Sequence, residues 1–177
     1  VVTGSYIKNT DNELSPIETF SRDDYLKFNT ISLSEISRYV PSISGSHFQT
    51  NSMDGEDQGM SAITLRGLDH ASTLLMINTK RQTFAGTPSN EGEGYIDANV
   101  IPEIAIKSIE ILKEGATSIY VSDAVAGVLN VLTRKDFEGF LLRSDHQITE
   151  SHKQNDNKVG FLYGFKNDKN KLVLGFE

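Results

Sequence analysis

Asp54, Glu56 and Asp57 come nearest to a cation site in this sequence. A calcium loop needs oxygen donors at its first, third and fifth positions and a closing bidentate glutamate, which is missing here. The spacing therefore predicts a solvated acidic loop. The four histidines, His47, His70, His146 and His152, are scattered, and His47 has no second ligand at metal spacing. There is no cysteine, which excludes disulfides and thiolate metal sites. Gly92-Glu93-Gly94 has no strand before it and no third glycine at dinucleotide-binding spacing. Ser122-Asp123 lacks a nearby histidine and a nucleophile elbow. No catalytic constellation or cofactor site emerges. Two bases stand out instead. Arg66 and Lys113 each end a predicted strand at a turn, beside Gly67 and Gly115, and on position alone read as solvated bases at strand ends.

Composition narrows the class. The 177 residues suffice for one domain and part of another. A net charge of −7 argues against non-specific nucleic-acid binding, which requires a basic face. No apolar run is long enough for a spanning helix, and no charged-then-apolar leader opens the sequence.

The elements that must position these residues follow in order. Residues 17–19 are predicted as a short strand. Ser21 is a plausible N-cap, with Asp23 and Asp24 complementing the helix dipole. Ser32 or Ser34 is expected to cap a second helix, whose Leu33, Ile36 and Val40 share one face before Pro41 ends it. Residues 45–60 and 83–98 are expected to be long loops, the second made mobile by three glycines and a proline. Ile63 and Leu65 suggest a strand, Arg66-Gly67 a turn. Residues 74–77 read as a strand buried on both faces, and 78–81 as a turn.

Residues 99–133 organise the chain. Pro102 suits a first helical position, with a single turn over 102–106. Ile109, Glu110 and Ile111 alternate as a strand with one wet face. Glu114-Gly115 breaks it, 116–126 has helical spacing, Gly127 is placed as a helix C′ residue, and 128–133 reads as a buried strand. After a charged connector, 134–139, residues 140–149 are expected to be extended. Val159, Phe161, Tyr163 and Phe165 then alternate with smaller or polar residues, as do Leu172, Leu174 and Phe176 after a turn at 167–170. This hairpin has one aromatic and aliphatic face. A soluble sheet and a transmembrane barrel strand both give that pattern.

The stretch also resembles the plug domain of TonB-dependent outer-membrane receptors. The similarity runs through Ile101, Pro102, Ile109, Glu110, Leu112, Lys113, Gly115, Ala116, Ile119, Tyr120, Ser122, Ala124, Ala126, Gly127, Val128, Asn130, Val131 and Thr133, with Val121 where the family has glycine. Ile63, Arg66 and Gly67, and Leu75 to Asn78 with Arg81, resemble further family motifs, with Thr79 in place of a glycine. The resemblance implies an α+β fold: a plug with a small mixed β-sheet and short helices, followed by antiparallel strands of an incomplete transmembrane β-barrel. Residues 1–13 would be an N-terminal segment, 14–136 the plug and 137–177 the first barrel strands. Closed barrels of this kind have about eight strands or more, and plugged transporters about 22, so the chain is expected to be a piece of a longer receptor.

The function implied is TonB-dependent uptake of a scarce nutrient across the bacterial outer membrane, with the plug inside the barrel lumen and the N-terminus periplasmic. The ligand would be a siderophore, cobalamin, glycan or peptide. The other partners would be the TonB energy-transducing complex, the chain's own barrel and outer-membrane lipid, with no enzymatic activity. Val1, Val2 and Thr3 would be the tail of a partial TonB box, acting by strand addition. Phe48, Gln49, Phe84 and Tyr95, on loops facing outward, would contact substrate. Arg66 and Lys113 would latch the plug to barrel glutamates, and in this chain would be exposed or would borrow Glu110 or Glu114. The rival reading is a soluble secreted α+β ligand-binding module.

Overall fold

Among the described residues, eight strands form in chain order: β1 (Ile17–Ser21), β2 (Thr73–Ile77), β3 (Lys80–Arg81), β4 (Ile106–Leu112), β5 (Gly127–Thr133), β6 (Gly139–Ile148), β7 (Asn155–Lys166) and β8 (Lys171–Phe176). The computed structural model describes residues 17–28, 32–46, 59–89, 92–113, 120, 124–148, 155–167 and 170–177. The strands make two sheets, one ordered β1-β4-β5-β2-β3 and the other β6-β7-β8. The first is mixed, because β2 and β5 run parallel while the other neighbours are antiparallel. Its apolar runs are buried on both faces, as continuous hydrophobicity requires. Ile109, Ile111, Leu129, Val131 and Leu75 pack into the main core, whereas Leu112, Val128, Leu74 and Met76 pack into a second cluster.

Local chemistry explains the short elements between the strands. Helix α1 (Arg22–Lys27) starts at a capping box: Ser21 Oγ accepts from the Asp24 amide and the Asp24 carboxylate accepts from the Ser21 amide. The second expected helix is not α-helical. It splits into 3₁₀ turns at Leu33–Arg38 and Pro41–Ile43, and Ser32 makes no capping bond. The 3₁₀ period eclipses residues i and i+3, which puts Leu33 and Ile36 together in the core, and Val40 is extended ahead of Pro41.

Several expectations need correction. Residues 63–65 do not form a strand; Ala62 makes a single bridge to Asp97. Side-chain hydroxyls replace the ladder: the Thr64 amide donates to Ser46 Oγ (2.9 Å) and the Leu65 amide to Thr73 Oγ1 (3.0 Å). The turn at 78–81 is only Asn78-Thr79, both at positive φ (53° and 68°), and Lys80–Arg81 already returns as β3. Thr79 adopts a conformation suited to glycine, and its amide is held by the buried Asn130 side chain (3.0 Å). Pro102 precedes the Glu103–Ala105 turn as its N-cap rather than opening it.

Of the helix expected over 116–126, Tyr120 is α-helical, Ala124 is in a 3₁₀ turn and 125–126 bend toward β5, while the other residues lie outside the described ones. Gly127 is not a helix C′ residue. It opens β5 at φ 137°, where an added Cβ would meet the Leu112 carbonyl oxygen at 2.5 Å and Leu65 Cδ1 at 2.7 Å. No helix among the described residues is long and apolar enough to cross a membrane, which says nothing of strands.

The second sheet has two unlike faces. Phe140, Leu142, Val159, Phe161, Tyr163, Phe165, Leu172, Leu174 and Phe176 are exposed on one side. Across the ladder they stand opposite one another, as in Leu142–Phe161–Phe176 and Phe140–Tyr163–Leu174. The other side carries Gly160, Leu162 and Gly164, all buried.

Candidate functional site

Three places carry the candidate side chains. The first is the 83–96 excursion. It is tied across itself: the Ala85 amide donates to the Tyr95 carbonyl (2.8 Å), the Ser89 amide to the Glu93 carbonyl (2.9 Å) and the Gly92 amide to the Ser89 carbonyl (2.9 Å). The Phe84 ring lies against Gly94, where a Cβ would sit 3.0 Å from its Cγ. Phe84 is 55% exposed and Tyr95 half-buried. Phe84 also borders a cavity of about 260 Å³, lined with it by Thr73, Leu74, Arg81, Gln82 and Ile96. Among the described residues no group of histidines or carboxylates can hold a metal ion. Phe48 and Gln49, like Val1, Val2 and Thr3, lie outside the described residues.

The second place holds the two bases. Arg66 stands at φ 59° and spans a turn to the segment before β5. Its Nε donates to the Ala126 carbonyl (3.1 Å) and its Nη2 to the Val125 carbonyl (2.9 Å). Lys113 pairs with Glu18 of β1 at 2.6 Å, both side chains about one-third exposed. The local acid that Lys113 borrows is Glu18, and Glu114 lies outside the described residues. Antiparallel pairing sets Glu18 opposite Ile111 near the end of β4, within reach of Lys113, while the Glu110 carboxylate accepts from the Asn130 amide (3.3 Å).

The third place was not singled out from the sequence. At the Glu103–Ala105 turn, charges from three elements converge. The Glu103 side chain is 2% exposed. One of its oxygens accepts from the Tyr25 hydroxyl of α1, and the other meets Lys158 Nζ of β7 at 3.1 Å. Lys158 also reaches Glu177 at 3.0 Å. The Glu177 carboxylate accepts from the amides of Glu103 (2.7 Å) and Ile104 (2.8 Å), and Arg22 Nη1 donates to the Ile106 carbonyl (2.9 Å) and the Glu103 carbonyl (3.3 Å). The turn thus has an anion at its amide end and a cation at its carbonyl end, as its dipole favours. Burial pushes the Glu103 carboxyl up from its ordinary range; Lys158 and the Tyr25 hydroxyl pull the other way.

A mixed sheet buried on both faces, leading through 134–138 into a separate sheet of three antiparallel strands whose large apolar side chains point away from it, has the architecture of a plug-type domain followed by a second sheet. Residues 10–128 match the family described as the TonB-dependent Receptor Plug Domain, and the chain belongs to that family. It is 30% identical over 137 residues to the iron-regulated outer membrane virulence protein of Vibrio cholerae serotype O1, covering 77% of this chain and 20% of that protein. The crystal structure of the siderophore receptor PirA from Acinetobacter baumannii matches with a TM-score of 0.63 at 26% identity, over 89% of this chain and 23% of PirA. A mutant of the ferric enterobactin receptor PfeA from Pseudomonas aeruginosa matches in fold, with a TM-score of 0.65 at 20% identity, over 89% of this chain and 23% of PfeA. The chain spans about a fifth of the length of the curated relatives it matches.

Proposed function

We propose that this chain is the plug and first strands of an outer-membrane receptor that takes up a ferric siderophore by TonB-dependent transport, without catalysis. The observation that carries the reading is the plug-family match over 10–128, continued by a sheet with an apolar outer face. The names of its relatives, an iron-regulated outer membrane protein and a siderophore receptor, favour a siderophore over cobalamin, glycan or peptide. In this reading Phe84 and Tyr95, with Phe48 and Gln49, face the incoming ligand, because binding residues gather on loops held by a rigid scaffold. Val1, Val2 and Thr3 engage the TonB complex by strand addition. Arg66 and Lys113 face barrel glutamates in the intact receptor.

Uptake of radiolabelled ferric siderophores by iron-starved cells carrying the full-length gene tests this. The expected result is uptake that requires energised TonB. It should weaken at the binding step when Phe48, Gln49, Phe84 and Tyr95 are changed together to alanine, and at the transport step alone when the N-terminal segment is deleted. No uptake of any ferric siderophore overturns the substrate assignment. Unchanged affinity in the quadruple variant overturns the loop assignment.

A further inference from the structure

We propose that the Glu103–Ala105 turn is the grip by which the barrel hairpin retains the plug, with Lys158 and Glu177 as positioning residues and the Glu103 carboxylate as the group they hold. The inference rests on the reading of β6–β8 as barrel strands. Its warrant is the direction of each contact. Lys158 and Glu177 come from β7 and from the residue after β8, whereas Glu103 and the two amides belong to the turn that leads into β4. These contacts join the inner face of the hairpin to the turn before β4.

The hairpin is shaped to make the contact. A Cβ at Gly160 would lie 2.7 Å from Glu177 Cγ, so the bare position lets Glu177 cross β7 to the turn. A Cβ at Gly175 would touch Ala105 Cβ at 3.4 Å, so β8 lies against the same turn. Asp145, opposite Lys158 in the ladder, is engaged by Arg143 at 2.7 Å.

The arrangement also divides the plug. Glu103 gives one oxygen to α1, through Tyr25, and the other to the hairpin, through Lys158. Strand β1 lies at the sheet edge and pairs only with β4. Withdrawing β1 and α1 removes Tyr25 and Arg22 from the turn but leaves Lys158 and Glu177 in place. The grip therefore holds the turn before β4 to the hairpin independently of the contacts that Tyr25 and Arg22 make from α1. Removing one member of a buried pair strands the other charge, so single substitutions should act strongly.

The test is amide hydrogen exchange, read by mass spectrometry, on the full-length receptor in detergent and in vesicles. Lys158→Met should raise exchange over 103–112 at least tenfold. Gly160→Val, which leaves every charge in place, should do the same by displacing Glu177. Glu103→Gln combined with Lys158→Met should recover much of the protection, because the Glu103 charge is then no longer stranded and Glu177 keeps its two backbone amides. Lys171→Met, which removes a pair with the exposed Asp136, should leave exchange over 103–112 unchanged. Unchanged exchange in both Lys158→Met and Gly160→Val overturns the grip, as does a double variant whose effect is the sum of its parts. Exchange is read whether or not the receptor transports a siderophore, so a failed uptake assay and a failed grip give separate results.

Discussion

The five-stranded sheet buries apolar side chains on both faces, whereas the three-stranded sheet turns its largest side chains outward and its smallest toward the plug. Both are built from short alternating or continuous apolar runs, so hydrophobicity alone does not separate them. What separates them is where the glycines fall. In the hairpin, Gly160 and Gly164 occupy inner positions of β7, and a Cβ at Gly164 would lie 2.0 Å from the Phe137 carbonyl oxygen. An inward face this bare cannot build a core of its own; it can only lie close against another surface. The outer face, with Phe161 stacked on Phe176 at 5.7 Å, is a contiguous apolar surface larger than single exposed residues make.

The sharpest way to break this comparison is to remove equivalent bulk from the two sheets. Ile111→Ala empties a fully buried position in β4 and should cost about 2–5 kcal/mol. Phe161→Ala, at a position 40% exposed, should leave the urea midpoint of the plug sheet where it is. Equal shifts in both variants would erase the distinction between the sheets.

A charge on the outer face sharpens it further. Phe161→Arg should cost about 2–4 kcal/mol if the residue lies near the bilayer midplane. The effect should appear in equilibrium folding of the full-length receptor into lipid vesicles. A fully tolerated arginine would mean that this face meets water.

At its glycines the inner face responds to size. Gly164→Ala forces the connector off β7 and should destabilise by about 1–3 kcal/mol, read as a lower thermal midpoint. Gly86→Ala, with open space around its Cβ, is the matched control and should be silent.

The smallest effect belongs to the exposed N-terminus of α1. The Asp24 carboxyl is held down to about 2, first by the hydrogen bond from Lys27 and then by that from Ser21. Because the folded value is depressed, the cap contributes above the ordinary carboxylate range near 3.8 and is lost as pH falls toward 2. An NMR titration of the Asp24 side chain checks it, and an ordinary midpoint would show that the capping box does not form in solution.

Much of this was legible because it is local. The apolar runs at 74–77 and 128–133, the Ser21 cap and the alternation of β7 and β8 each carry their own period or residue type. The plug motif added the assignment of the sheet that these runs build. The strand expected at 63–65 failed because Ser46 and Thr73 bond its backbone, and nothing in its own composition announces that. Glu103, Lys158 and Glu177 were missed for a different reason. The glutamate sits in a turn and the other two in an alternating hairpin, where polar residues read as a wet face. Their meeting joins positions more than seventy residues apart in the case of Glu103 and Glu177, and only packing of the two sheets creates it. The bare positions at Gly160 and Gly175 were the one visible trace.

The parallel pairing of β2 with β5 has a consequence for how the plug comes into being. Thr73 pairs with Gly127 and Ile77 with Val131, while Ile17 at the other edge waits for Leu112. Both early strands meet their partners only after more than fifty intervening residues have been made. Loop closure over such separations must precede any reward from pairing, which slows folding of sheets rich in distant contacts. β1 and β2 lack their central neighbours until the second half of the plug has emerged. The five-stranded sheet consequently cannot close before Thr133 has been made, and until then the chain can still be threaded through a narrow passage before its shape is set.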